Sequence, residues 1–463
     1  MKLAILGGGG ARMPAFVRSM LTAGKGTFDQ ISLFEPDPVR RETTGRLAVE
    51  LAAHLGQPGA VSMTVDPEEA FTEADFVFSA IRVGGDRGRV IDEQVALRHG
   101  LVGQETTGPG GAAMALRTVP VVLAYCEMLA RCSPGAVLIN FTNPAGLITQ
   151  TISSHSSVRV VGVCDTPVDV LERIGEFLGA EPGSAAYGYS GLNHLGWVTS
   201  FSVNGDERMG ELLARYEELG RFDHRFEVFD PGMVRRLGAI PTEYLFYYYD
   251  PERYIASVAR AGTSRGQDVM RLNEELIGAI GRSFDRGDVE DAWSAYSTVL
   301  GVRSDTYMRT DTEGANRQEE ARSQRAEGPP AAIGTAEIGG YEGVALDVVA
   351  GLTGRRPGEV IVNTPNGASM SLLDADDVVE VPSLIDGAGV QPLASAELPR
   401  SARALVMQVK EYETALVEAA FTGDAGLAEL ALSLHPLVPG ITAARELLAE
   451  YRELHGPYLA YLH

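Results

Sequence analysis

Two short stretches carry the residue types that suit a divalent cation: Cys164-Asp165-Thr166-Pro167, and Asn193-His194 within Gly191-Leu192-Asn193-His194-Leu195. A thiolate and an imidazole form a ligand pair that water or substrate oxygens can complete. On residue type alone the commoner reading is a buried free cysteine and a satisfied core histidine. A second group is Gly7-Gly8-Gly9-Gly10, directly after an apolar run and before a helical pattern that starts near Pro14. Glycines there let the backbone approach a pyrophosphate, which a helix N-terminus then stabilises. Glu35 ends the next apolar run, where an acid accepts hydrogen bonds from the adenosine ribose, and an acid there favours NAD over NADP. The dinucleotide fingerprint is incomplete, because Arg12 stands where its third glycine belongs. A bare glycine run is as often a tight turn, but the order strand, glycines, helix, strand, acid favours a dinucleotide.

Other candidates are less specific. Arg82-Val83-Gly84-Gly85, then Arg87 and Arg89, follow a further apolar run, and arginines at a strand's carboxyl end suit anion recognition. Asn140-Phe141-Thr142-Asn143-Pro144 offers amides that could bridge a nicotinamide and sugar hydroxyls, or could merely shape a turn before proline. Tyr244 opens an aromatic series with Tyr247, Tyr248 and Tyr249, a pattern that usually packs a core. Arg265 sits at a helix start, and spacing does not bring it to a cleft.

The elements that must position these residues are strands alternating with helices. Apolar runs at Lys2–Leu6, Gln30–Phe34, Val61–Val65, Asp75–Ala80, Ala136–Phe141 and Val158–Val163 are mostly followed by longer segments of helical spacing. Continuous apolar strands separated by helices predict a doubly wound, Rossmann-like α/β sheet covered on both faces. The division expected is a dinucleotide-binding domain over 1–166 and a largely helical α+β domain over 167–463. Strands are expected in 188–206 with a turn at Asn204-Gly205, again near 359–363 and 378–381, and then three helices to the C-terminus. Residues 303–334 are polar and proline-containing and read as a mobile excursion.

Composition narrows the function classes. With 39 Lys and Arg against 62 Asp and Glu, the net charge of −23 argues against nucleic acid and anionic membranes as partners. An anionic substrate would have to be met by a local arginine cluster. Three cysteines, Cys126, Cys132 and Cys164, make no disulfide framework, and Cys126 and Cys132 lie on an apolar helical stretch. No run approaches the roughly 18 apolar residues of a membrane helix, so a cytoplasmic protein is expected.

In their order along the chain, GGGG, RVGG, GQETTG with ALRTVP, NFTNPAG, VGVCDTP, GLNHLGW, IPTEYLFYYY, IGGYEGVALDVV, VNTPNG and VVEVPSLID resemble glycoside hydrolase family 4, the NAD- and metal-dependent glycosidases. The resemblance spans nearly the whole chain outside 303–334 and is strongest to the 6-phospho-β-glucosidase branch. It implies that Cys164 and His194 hold a divalent metal, usually manganese, and that Tyr244 is the general base. It implies Asn143 between sugar and cofactor, Arg82 beside the cofactor, and Arg82, Asn193 and Arg265 as substrate contacts. The partner implied is a small sugar, 6-phosphorylated in that branch, and the assembly implied is a homodimer or homotetramer. The implied reaction removes hydride from C3 to NAD, takes the C2 proton, eliminates the aglycone, adds water and returns the hydride, without the usual carboxylate pair. Two positions depart from the family pattern: Gly10 replaces a serine, and Asp165 replaces the asparagine frequent in phospho-β-glucosidases. Asp165 matches the phospho-α-glucoside branch, as a general acid or as a carboxylate behind the metal, so the anomer stays open. Rival readings are an unphosphorylated glycosidase of the same family, a 2-hydroxy acid dehydrogenase and a non-enzymatic NAD sensor on the same sheet.

Overall fold

The computed structural model describes residues 1–463 apart from 315–316, 327–331 and 335–339. Six strands, β1 (Lys2–Leu6), β2 (Gln30–Phe34), β3 (Val61–Thr64), β4 (Phe76–Ser79), β5 (Val137–Asn140) and β6 (Arg159–Gly162), run parallel in the order β3-β2-β1-β4-β5-β6. Their unbroken apolar character has a direct cause, since both faces are covered. Leu3 and Ile5 of β1 pack with Phe16, Val17 and Met20 of helix Met13–Thr22. Ala4 and Leu6 point the other way, into the core that contains Ala112, Leu116 and Val119 of helix Gly108–Cys132. This is the doubly wound arrangement that the strand and helix alternation predicts, and its strand order is that of dinucleotide-binding sheets.

The sheet continues beyond β6. Strands β7 (Ala185–Leu192) and β8 (Leu195–Val203) form a hairpin, β9 (Asp206–Glu207) adds to β8, and β10 (Ile240–Pro241) pairs antiparallel with β8. Strands β11 (Gly358–Pro365), β12 (Val378–Asp386) and β13 (Gly389–Pro392) are antiparallel, and β11 and β12 lie between β6 and β7. The joints on either side are narrow: Asn363 with Gly162, and Glu380 with Gly191. At the first joint a Cβ on residue 162 would fall 2.3 Å from Thr149 Oγ1 and 2.7 Å from Asn363 Cβ, so the close approach depends on glycine.

One expectation needs an addition and two need correction. The turn at Asn204-Gly205 exists between β8 and β9, but the main reversal is the two-residue turn Asn193-His194, with His194 at φ 60°. The stretch 303–334 is not a plain excursion: helix Val289–Asp305 runs into it, and Arg309–Glu313 and Gln318–Ala326 are helical, while 315–316 and 327–331 lie outside the described residues. Its polar residues are partly core, since Tyr247 donates to Asp311 at 2.7 Å and Thr310 to Asp268 at 2.8 Å. Helix Gly108–Cys132 is long and apolar enough to cross a membrane by length and composition, contrary to expectation, yet Gly108–Val119 is buried in the protein's own core. The three C-terminal helices are present as Arg400–Thr422, Ala425–Leu434 and Ile441–His455.

The last of these helices is tied in by a buried ion group. Arg117 donates to both oxygens of Asp92 at 2.5 and 2.7 Å, and His455 Nε2 lies 2.8 Å from Asp92 Oδ1. Neither the Arg117 nor the Asp92 side chain is exposed. Removing one partner of such a pair strands the other charge, at about 3–5 kcal/mol. Asp92→Ala should therefore unfold at clearly lower urea concentration than wild type, whereas Arg131→Ala, which breaks the exposed Arg131–Glu68 pair, should cost at most about 1 kcal/mol.

Candidate active site

The glycine loop leaves β1 and is held from behind. Gly9 donates its N–H to Glu35 Oε2 at 3.1 Å and its carbonyl accepts from Thr44 Oγ1 at 2.6 Å. A Cβ on residue 9 would lie 2.7 Å from Glu35 Cγ and 2.8 Å from Arg40 Cβ, so a side chain is shut out by the acid itself. The other Glu35 oxygen accepts from Asp37 N at 3.0 Å, and burial pushes the carboxyl up. Arg12, in the place of the missing third glycine, is 3.7 Å from the Asp165 carboxylate and lies over the Tyr341 ring. The departure from the fingerprint thus links the glycine loop to the Cys164-Asp165 segment.

Parallel-strand ends bring the next residues to the same rim. Arg82 follows β4, Asn143 follows β5 and Cys164 follows β6. Asn140 is spent locally, donating to the Thr142 and Ala145 carbonyls, whereas the Asn143 amide has no hydrogen-bond partner among the described residues. Burial first, then Glu380 and Asp165, push the Cys164 thiol well above its ordinary value, although Thr166 donates to the sulfur.

His194 and Tyr244 arrive from the antiparallel side. The β8–β10 pairing, Ile240 with Val198 and Pro241 with Trp197, sets the short helix Glu243–Leu245 beside the β7–β8 turn. The His194 and Tyr244 rings stack at 3.7 Å between centroids and 6° between planes. His194 Nδ1 lies 2.8 Å from Thr106 Oγ1, and burial lowers its pKa to about 4, so the imidazole is neutral at pH 7. Burial, then Glu105, push the Tyr244 phenol well above its ordinary value, while Tyr307 hydrogen-bonds to it and lowers it. Tyr307 in turn donates to Glu243 at 3.3 Å.

An arginine group borders this cluster. Glu105 sits 2.7 Å from Arg82 and 3.0 Å from Arg89, and these cations hold its carboxyl far below the usual range despite its burial. Arg303 is pushed down to about 9 by burial and then by Arg12, Arg265, Arg89 and Arg82. Burial is the larger cause, and the four neighbouring guanidinium groups add to it.

The structure therefore links these residues electrostatically: Glu105 reaches Arg82, His194 and Tyr244, Asp165 reaches His194 and Cys164, and Cys164 reaches Tyr244. Two candidates are occupied with supporting contacts. Asn193 donates to Glu380 at 3.0 Å, and Arg265 donates to the Arg303 and Thr306 carbonyls at 2.7 and 3.3 Å. Sequence reasoning missed Glu105, Arg303, Tyr307 and Glu380. Glu105 stands inside a quoted motif, but a lone glutamate carries no signal, and Arg303 was hidden by the polarity of the segment it opens. Among the described residues, no three His, Cys, Asp or Glu side chains form a group that could hold a metal, so a cation here would keep positions for water or substrate.

The same chain matches two family models, "Family 4 glycosyl hydrolase" over residues 2–180 and "Family 4 glycosyl hydrolase C-terminal domain" over 189–438. It is 27% identical to the probable 6-phospho-beta-glucosidase of Bacillus subtilis, over 99% of this chain and 97% of that one. It is 26% identical to the 6-phospho-alpha-glucosidase 1 of Lacticaseibacillus paracasei, over 96% of this chain and 95% of that one. The structure superposes on the 6-phospho-beta glucosidase from Thermotoga maritima, solved with manganese, NAD+ and glucose-6-phosphate, with a TM-score of 0.79, 26% identity and 99% of each chain covered. On these matches and this fold, the chain belongs to family 4 of the glycosyl hydrolases and is an enzyme acting on O-glycosyl bonds.

Proposed function

We propose that the enzyme hydrolyses 6-phosphorylated glucosides, with NAD on the glycine loop and a divalent cation, manganese by analogy with its relatives, between Cys164 and His194. The observation that carries this reading is the grouping of Arg12, Arg82, Arg89 and Arg265 around Arg303, with Arg89 reaching Tyr244, in a chain of net charge −23. A phosphate dianion at that spot would relieve the depressed Arg303, and arginine's planar fork suits phosphate oxygens. The resident groups fit. The loop around Gly9 excludes a Cβ, and Glu35 keeps acceptor capacity beyond its two backbone bonds. A thiol raised like that of Cys164 would release its proton to solvent when a divalent cation takes its place, and the neutral His194 leaves Nε2 without a hydrogen-bond partner among the described residues.

When bound, NAD would supply a reversible hydride acceptor and the cation a Lewis acid. The chain's own part is then proton handling and orientation. Tyr244 removes the proton from C2 of the sugar, and its stacking on His194 fixes the phenol beside the cation site. Its raised pKa makes the free phenol a poor base, so the positive charge gathered by Cys164 and His194 is what makes it usable. The Tyr307 hydroxyl steadies the Tyr244 anion when it turns its one proton from Glu243 to the phenol.

A second reading concerns the anomer. Asp165 is half-buried beside Cys164 and 3.7 Å from Arg12, and its residue type is that of the phospho-α-glucoside branch, so phospho-α-glucosides are included among the substrates to test.

Purified enzyme should release nitrophenol from p-nitrophenyl glucoside 6-phosphate only when NAD and Mn2+ are both present, without accumulating NADH. The ratio of α- to β-anomer rates assigns Asp165. NADH formation from a hydroxy acid, with no nitrophenol from any sugar, would replace this reading by the dehydrogenase. Tyr244→Phe should lower kcat by about 10²-fold or more while NAD affinity is kept. Arg303→Met should raise KM for the phosphorylated glycoside by about 10- to 100-fold, the loss of a charged hydrogen bond, with no such change for the unphosphorylated sugar.

A further inference from the structure

The contact between His194 and Thr106 can be followed back to a fixed origin. Gln104 Oε1 lies 2.6 Å from Thr106 N and 2.7 Å from Thr107 N. Backbone N–H groups can only donate, so the Gln104 atom facing them is the carbonyl oxygen, and the amide orientation follows from its neighbours. The same oxygen lies 2.9 Å from Thr106 Oγ1, and as an acceptor it takes the hydroxyl proton. With that proton committed, Thr106 Oγ1 turns a lone pair toward His194 Nδ1, 2.8 Å away. A neutral imidazole in this position therefore carries its hydrogen on Nδ1 and its lone pair on Nε2.

We propose that Thr106, set by Gln104, is a positioning residue that locks His194 in the tautomer with the lone pair on Nε2 and so determines which nitrogen meets the cation. The inference rests on the reading of His194 as a metal ligand. The surroundings explain why such a lock is useful. His194 occupies a two-residue turn at positive φ, its ring is clamped against Tyr244, and Asn193 beside it is held by Glu380. Backbone and ring plane are thus fixed, and the proton position is the remaining freedom. Hydrogen bonds behind a ligand histidine commonly change metal affinity by about 10- to 100-fold. Gln104 and the Thr107 backbone are buried, so water does not compete for the carbonyl that starts the chain.

The test compares wild type, Thr106→Val, which keeps the shape and removes the hydroxyl, and Thr106→Ser, which keeps it. Mn2+ affinity is titrated by the loss of free-ion signal in electron paramagnetic resonance, and NADH binding is followed by fluorescence to report on the fold. Long-range 1H–15N correlation on metal-free, 15N-histidine-labelled wild type reads the tautomer directly, with His194 assigned by its loss in His194→Gln. The expected results are a proton on Nδ1, Mn2+ binding weakened by about 10- to 100-fold in Thr106→Val, near-wild-type Mn2+ binding in Thr106→Ser, and NADH binding kept in both. A proton on Nε2 in the wild type, or wild-type Mn2+ affinity in Thr106→Val, overturns the inference and leaves the metal reading standing. Wild type that binds no Mn2+ overturns the metal reading and the inference together.

Discussion

Between the parallel half of the sheet and the antiparallel hairpin lies a seam closed by β11 and β12, and the Glu380 carboxylate spans it. It accepts from Tyr189 at 2.7 Å, from Asn193 at 3.0 Å and from Asn363 at 3.1 Å. Those donors belong to β7, to the β7–β8 turn and to β11, and each joint beside them is a single residue pair. Cys164 stands at the β6 side of this seam and His194 on the far side. The elements between them are tied together by one buried acid, whose pKa is pushed up to about 7 by burial against the pull of its three donors. A buried carboxylate satisfied on all sides specifies one arrangement of its partners, because any other leaves polar atoms stranded.

Around that fixed frame the charges are sorted by place. The surface is acidic, while the cleft gathers arginines about Glu105, which neutralises only part of them. On the other side the Cys164 thiol and the Tyr244 phenol both sit above their ordinary values through burial. The protein thus gathers guanidinium groups at one end and reluctant acids at the other. An anionic sugar answers the first condition and a divalent cation the second, which makes binding and activation parts of one electrostatic balance.

How much of this the bare sequence discloses depends on the range of the interaction. The parallel strands were legible because each alternates between two covered faces, as Leu3 and Ile5 against Ala4 and Leu6 do. Cys164 and Gly7 to Gly10 were legible by their position at strand ends. The place of Tyr244 was not, since it comes from β10 meeting β8 more than 40 residues away in sequence, and on spacing alone this tyrosine reads as core; only the family resemblance singled it out. Arg303 and Asp311 misled for a different reason: polarity suggested solvent, while the fold supplies Tyr247 and the arginine group as buried partners. The same holds for Glu380, whose three partners come from residues 189, 193 and 363. Local pattern reveals elements, and partners distant in the chain decide what their polar residues do.

Helix Gly340–Leu352 packs Tyr341, Val344, Ala345, Val348 and Val349 onto the same face of the parallel sheet as Leu3, Ile5, Phe76 and Phe78. The Tyr341 ring completes a stack with Phe16, Phe78 and Phe141 beneath the glycine loop. During synthesis the first six strands emerge long before this helix exists. Part of an apolar face, together with the aromatic floor of the glycine loop, stays wet until the ribosome has passed Leu352. The nascent dinucleotide fold is thus an unfinished surface that its own distant sequence must come back to seal.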